Sequence, residues 1–218
     1  GSHGAQATGD GAAGGIIAAN GVEADARATA SLDSHVGDGT SIQAGQNVKV
    51  LAIATNNARV VGEGFDIGVA AVGVIDADAI AGEKSKVVQA VIGDGARIEA
   101  GGLVVEARST DEAAVTTDAS GGGLISVHSG DSRAVVSPLV TASLGEEVTV
   151  EVTNDVEVRA ESITDGDAVA GGTTGGGFDV GESIARVTID PEVHSQLGSG
   201  TTIVAGGDVT VEATFGKT

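Results

Sequence analysis

Apolar residues in this chain recur at every second position, not every third or fourth. Near the end, Ile203, Val209, Val211 and Ala213 share one phase, while Val204, Thr210 and Glu212 share the other. Val48 with Val50, and Val156 with Val158, repeat that inward phase earlier. Such alternation, in short runs bounded by Gly, Asp and Asn, predicts half-buried β-strands. The best helical rival is the alanine-rich stretch from Val69 to Ala81, and its Val, Ile and Gly content argues against a helix. The expected fold class is therefore all-β.

The strands are organised by an internal repeat. One segment reads VGDGTSIQAGQNVKVLA from Val36 and IGDGARIEAGGLVVEA from Ile92. It returns as LGEEVTVEVTNDVEVRA from Leu144 and LGSGTTIVAGGDVTVEA from Leu197, so the starts lie 56, 52 and 53 residues apart. A second landmark, a Gly run followed by alternating apolar residues, precedes each copy, from Gly14, Gly64, Gly122 and Gly176. Two landmarks recurring in one order predict a repeat architecture. A repeat of about 54 residues is long for one turn of a β-helix, and its length predicts three coils of roughly 18 residues, with Gly at the corners.

The expected architecture is thus a single elongated parallel β-solenoid of four repeats over residues 4–218. A two-sheet sandwich array is the alternative. Gly1, Ser2 and His3 read as a scar of tag cleavage. The chain begins and ends in repeat material without a polar cap, which predicts that it belongs to a longer array.

These landmarks resemble the repeats of very large bacterial filamentous adhesins of the filamentous-haemagglutinin and leukotoxin-like type. The sharpest carriers are Gly93-Asp94-Gly95 with Ala100-Gly101-Gly102, and Ala205-Gly206-Gly207-Asp208 with Val209-Thr210-Val211. The resemblance covers nearly all of residues 14–214. It implies a right-handed parallel β-helix, an extracellular or bacterial cell-surface location, and a role as an extended surface fibre. It supplies no catalytic residue. The copy at Leu144 departs from the pattern, with Glu146 and Glu147 in place of Asp-Gly.

Composition sharpens this picture. The chain is 41% hydrophobic but 1% aromatic, with three Phe and no Trp, Tyr, Met or Cys. Its core must be built from Val, Ile, Leu and Ala, which suits β-branched residues on pleated strands. A net charge of −20 repels phosphate backbones and anionic membranes, so nucleic acid is not an expected partner. No run approaches the ~20 apolar residues of a membrane span, so no membrane insertion is expected. The expected partners are neighbouring repeats of the same chain, with end-to-end self-association. The sequence names no receptor or glycan.

Candidate chemistry is sparse. The calcium-binding nonapeptide G-G-x-G-x-D-x-U-x is approached only at Gly64-Phe65-Asp66-Ile67 and Gly177-Phe178-Asp179-Val180. Asp66 and Asp179 are expected on strands or turns beside a buried Phe, and calcium binding is expected to be weak at most. His35, His128 and His194 share no repeated position and have no Cys beside them, so no zinc site is expected. A polysaccharide-cleaving site would need paired carboxylates in a groove, and Glu146 with Glu147 carries little weight where carboxylates are dense. Neither a G-x-S-x-G elbow nor a P-loop occurs. The outward residues Gln43, Glu99, Glu151 and Val204, and then Lys49, Glu157 and Thr210, form no regular Thr array for ice.

No catalytic, cofactor-binding or metal-binding residue is therefore assigned. The functional expectation is a structural or adhesive rod without catalysis or cofactor. A calcium-responsive extracellular binding module is the alternative, and a polysaccharide-active β-helix enzyme ranks behind it.

Overall fold

A computed structural model describes residues 2–217. The chain forms β1 (Ser2–Ala28), β2 (Leu32–Val36), β3 (Ser41–Gln43), β4 (Val48–Ala81), β5 (Val87–Ile92), β6 (Arg97–Ala100) and β7 (Leu103–Val136). It continues as β8 (Leu139–Leu144), β9 (Thr149–Val152), β10 (Val156–Gly171), β11 (Thr174–Ile189), β12 (Glu192–Leu197), β13 (Thr202–Ala205) and β14 (Val209–Lys217). No helix occurs among the described residues, and the Val69–Ala81 stretch lies within β4.

All strand pairs are parallel, and they build three stacked sheets. One has the order β1-β4-β7-β10-β14, with β11 also on β7. The others run β12-β8-β5-β2 and β13-β9-β6-β3. This all-β stack of parallel strands is consistent with a β-solenoid.

The register corrects the expected three coils per repeat. Leu32 pairs with Val88, Val87 with Leu139, and Leu139 with Glu192. Each strand therefore meets its partner one whole repeat later, and one repeat makes one rung. The sheets are four or five strands deep at about 4.8 Å per strand, a stack roughly 20 Å high and shorter than three coils per repeat would give. The 18-residue estimate failed because 34 residues of the repeat, as in Val48–Ala81, run as one long strand that turns only once, at its Gly-rich tip.

That wall folds back on itself. In β4, even-numbered residues face inward from Val50 to Asp66, and odd-numbered ones from Ala71 to Ala81. The change of phase marks a fold at the tip, so each repeat has an outgoing and a returning wall. A Cβ on Gly62 would lie 2.8 Å from Ile75 Cγ2 across the gap, which shows how closely the walls approach. A Cβ on Gly123 at the tip would strike the Gly68 carbonyl one rung away. The Gly run thus marks the tip of a flat arm.

Two apolar compartments follow. The three sheets enclose Ile92, Ile98, Leu103, Val105, Val150 and Val158, all fully buried. Inside the arm the core is thinner, with Ala58, Val60, Ala77, Ala79, Ala113 and Ala134. Small residues dominate there because two close walls leave no room for larger ones.

Candidate functional site

The Gly-Asp-Gly motif forms the corner between the second and third sheets. Gly39, Gly95 and Gly200 hold φ of 62, 64 and 73° there, and Glu147 holds 55°. Asp38 Oδ1 accepts a hydrogen bond from the Asp94 amide at 3.0 Å, and Asp94 Oδ1 accepts one from the Glu146 amide at 2.8 Å. At the next corner Asp155 Oδ1 accepts from the Asp208 amide at 2.9 Å. These carboxylates stitch one rung's corner to the next. At Glu146 and Glu147 the backbone keeps its shape without the Asp-Gly pair.

Equivalent outward residues stack directly. Gln43, Glu99, Glu151 and Val204 form one column, and Lys49, Val104, Glu157 and Thr210 another. Arg97 bonds Glu99 at 2.7 Å and Glu151 at 2.9 Å, and Gln43 Nε2 donates to Glu99 at 2.8 Å. Arg97 first, then Gln43, holds the Glu99 carboxyl below its usual range.

The histidines separate. His35 and His194 are exposed on the second sheet, 3.4 Å from Asp33 and 3.9 Å from Glu192. His128 is 97% buried inside the arm tip (3% exposed), in a position that sequence alone had not distinguished. Asp66, one rung away, is fully buried and faces the same place. A Cβ on Gly73 would lie 2.5 Å from Asp66 Oδ2 and 2.8 Å from His128 Nδ1. Neither carboxylate oxygen of Asp66 and neither ring nitrogen of His128 reaches a partner at hydrogen-bonding geometry. Burial raises the Asp66 carboxyl above its ordinary range, against the opposing pull of His128 and the Ala13 backbone. The inward phase of β4 and β7 was the available signal for both residues.

The buried Phe expected beside Asp66 and Asp179 is corrected. Phe65 is 51% exposed and Phe178 is 78% exposed, because each occupies an outward position next to an inward neighbour or at the tip. Asp179 accepts from Ser126 Oγ at 2.9 Å. Asp66 and Asp179 do not converge with other carboxylates. Among the described residues no three His, Asp or Glu side chains gather as metal ligands.

A second buried carboxylate sits between the two cores. Asn56 Nδ2 donates to Asp111 Oδ1 at 2.5 Å. Burial raises the Asp111 carboxyl, while Asn56 and Ser109 oppose the shift.

The outer face of the outgoing wall carries a groove of about 580 Å³ lined by Asp10, Glu63, Phe65, Asp118 and Ser120. Asp10 pairs in register with Glu63, and Glu63 with Asp118, so three carboxylates stack in one column.

The class defined by this fold is an all-β chain of stacked parallel sheets, consistent with a β-solenoid repeat protein. No family model, no curated protein and no solved structure matches the chain.

Proposed function

We propose that this chain is a structural and adhesive segment of a large secreted or cell-surface bacterial protein, without catalysis. In this reading it is a right-handed β-solenoid of four repeats, one coil to each. Right-handed winding is the strong general preference for parallel strands joined across one sheet. The observation that carries the reading is the contrast between inner and outer columns. Ile42, Ile98, Val150 and Ile203 stack inward, as do Val50, Val105, Val158 and Val211. The outward columns keep no single side-chain type, with Gln43, Glu99, Glu151 and Val204 in one and Lys49, Val104, Glu157 and Thr210 in another. A chain repeated for its core and free on its surface suits a spacer, whose units stack on neighbouring repeats.

A tandem fusion tests the proposal. Lys217 pairs with Thr164, Thr164 with Asp111, Asp111 with Asn56, and Asn56 with His3. Joining Lys217 directly to Gly4 of a second copy therefore continues the register. The fused chain should scatter as one particle, longer by roughly 19 Å along the stack and unchanged in cross-section. Two independently tumbling bodies would contradict the spacer reading.

A further inference from the structure

We propose that the outer face of the outgoing wall, together with the arm tip, docks a cationic amphipathic segment of a partner protein. The carboxylates Asp10, Glu63 and Asp118 stand one rung apart, about 4.8 Å, all exposed. Like charges stacked across neighbouring strands destabilise a sheet. At several other places the chain relieves such crowding with its own cations. Arg97 bridges Glu99 and Glu151, Arg186 pairs with Asp131 at 2.5 Å, and Lys84 joins Asp190 and Glu192. Among the described residues no Lys or Arg pairs with Asp10, Glu63 or Asp118. An outside cation would relieve this column.

Apolar surface adjoins it. Outward along the second rung, Glu63 is followed by Phe65, Ile67 and Val69, all more than half exposed. Ile16 (77% exposed) and Leu124 (66%) extend the strip onto the neighbouring rungs. The tip segments 11–22 and 67–75 contain no charged residue, in a chain that is 19% charged. An apolar strip bordered by an unneutralised acidic column matches a partner with apolar side chains flanked by Lys or Arg. Charge selects that occupant over a second copy of this chain, whose own column would face the first with the same sign.

The experiment uses the full chain and an 18-residue amphipathic peptide of Lys and Leu, followed by fluorescence anisotropy. Oligolysine of equal charge serves as the comparison. Saturable binding is expected for the Lys–Leu peptide, weaker by at least about tenfold for oligolysine and for the variant Phe65→Ser/Ile67→Ser/Leu124→Ser. The variant Asp10→Asn/Glu63→Gln/Asp118→Asn should lose about as much. Removing three exposed carboxylates elsewhere, Asp33→Asn/Glu182→Gln/Glu212→Gln, should change affinity less than threefold. Because all these side chains are exposed, circular dichroism should be unchanged. Equal binding of oligolysine, or equal losses from the two charge variants, would reduce the effect to general attraction and overturn the proposal. So would an apolar strip that proves to be buried in a homodimer which the serine variant dissociates.

Discussion

Asp38 and Asp94 occupy the same corner in successive rungs, and the first holds the second: Asp38 Oδ1 accepts the Asp94 amide proton across 3.0 Å. Asp94 then does the same for Glu146. Gly93 and Gly145 are what let the carboxylates of Asp38 and Asp94 pass. A Cβ on Gly93 would strike Asp38 Oδ1 and lie 2.7 Å from the Asp38 nitrogen. Gly93→Ala should therefore cost about 2 kcal/mol or more, because the obstacle includes backbone. Asp94→Ala removes one exposed hydrogen bond and should cost about 1 kcal/mol. Urea unfolding compares the two, and equal midpoints would contradict the corner geometry.

Glu147 sits at φ 55° where the equivalent residues Gly39, Gly95 and Gly200 are glycines. A left-handed backbone costs a residue with a Cβ about 1–2 kcal/mol, and glycine's extra freedom in the unfolded chain returns part of that. Glu147→Gly should stabilise the protein by about 0.5–1 kcal/mol, while Gly95→Ala should destabilise it by about 1 kcal/mol. A thermal melt that falls with Glu147→Gly would show that the Glu147 side chain contributes more than its backbone strain.

Asp111 gives a pH dependence with a defined sign. Its carboxyl is raised from the ordinary value of 3.8 by burial, so the folded state favours its acid form. Its stabilising contribution is complete below the unfolded value and is lost as pH rises through the raised folded value. Asp111→Asn removes this titration. The melting temperature of the wild type minus that of the variant should therefore fall as pH rises from about 3.5 to 7. A difference that stays constant over that range would show that Asp111 keeps an ordinary titration.

The closeness of both Asp66 and His128 to Gly73 tests the register itself. Gly73→Ala places a Cβ 2.5 Å from Asp66 Oδ2 and 2.8 Å from His128 Nδ1, and should cost about 1–3 kcal/mol. Combined with His128→Ala, one obstacle disappears, and the penalty should shrink by at least about 0.5 kcal/mol. Residues 73 and 128 face each other only when one repeat makes one rung, since 18-residue coils would set them three coils apart. Additive penalties would argue for that other arrangement.

Much of this is legible in the sequence. Period-two alternation fixed strands, and the recurrence of Val36, Ile92, Leu144 and Leu197 fixed the repeat, because a pleated strand turns every second side chain to one face. Even the outward column of Gln43, Glu99, Glu151 and Val204 could be aligned, since in-register stacking only requires equal positions in each copy. The number of coils per repeat could not. A wall that runs from Val48 to Ala81 and folds at Gly68 carries no Pro or Asp-Gly corner, and alternation looks the same on either side of a fold that shifts its phase. The partners of Asp66 and His128 depended on that phase, as did the exposure of Phe65. Local sequence determines which residues alternate. Only pairing between distant rungs, with two walls closing on each other, decides which alternate set is buried and what it meets there.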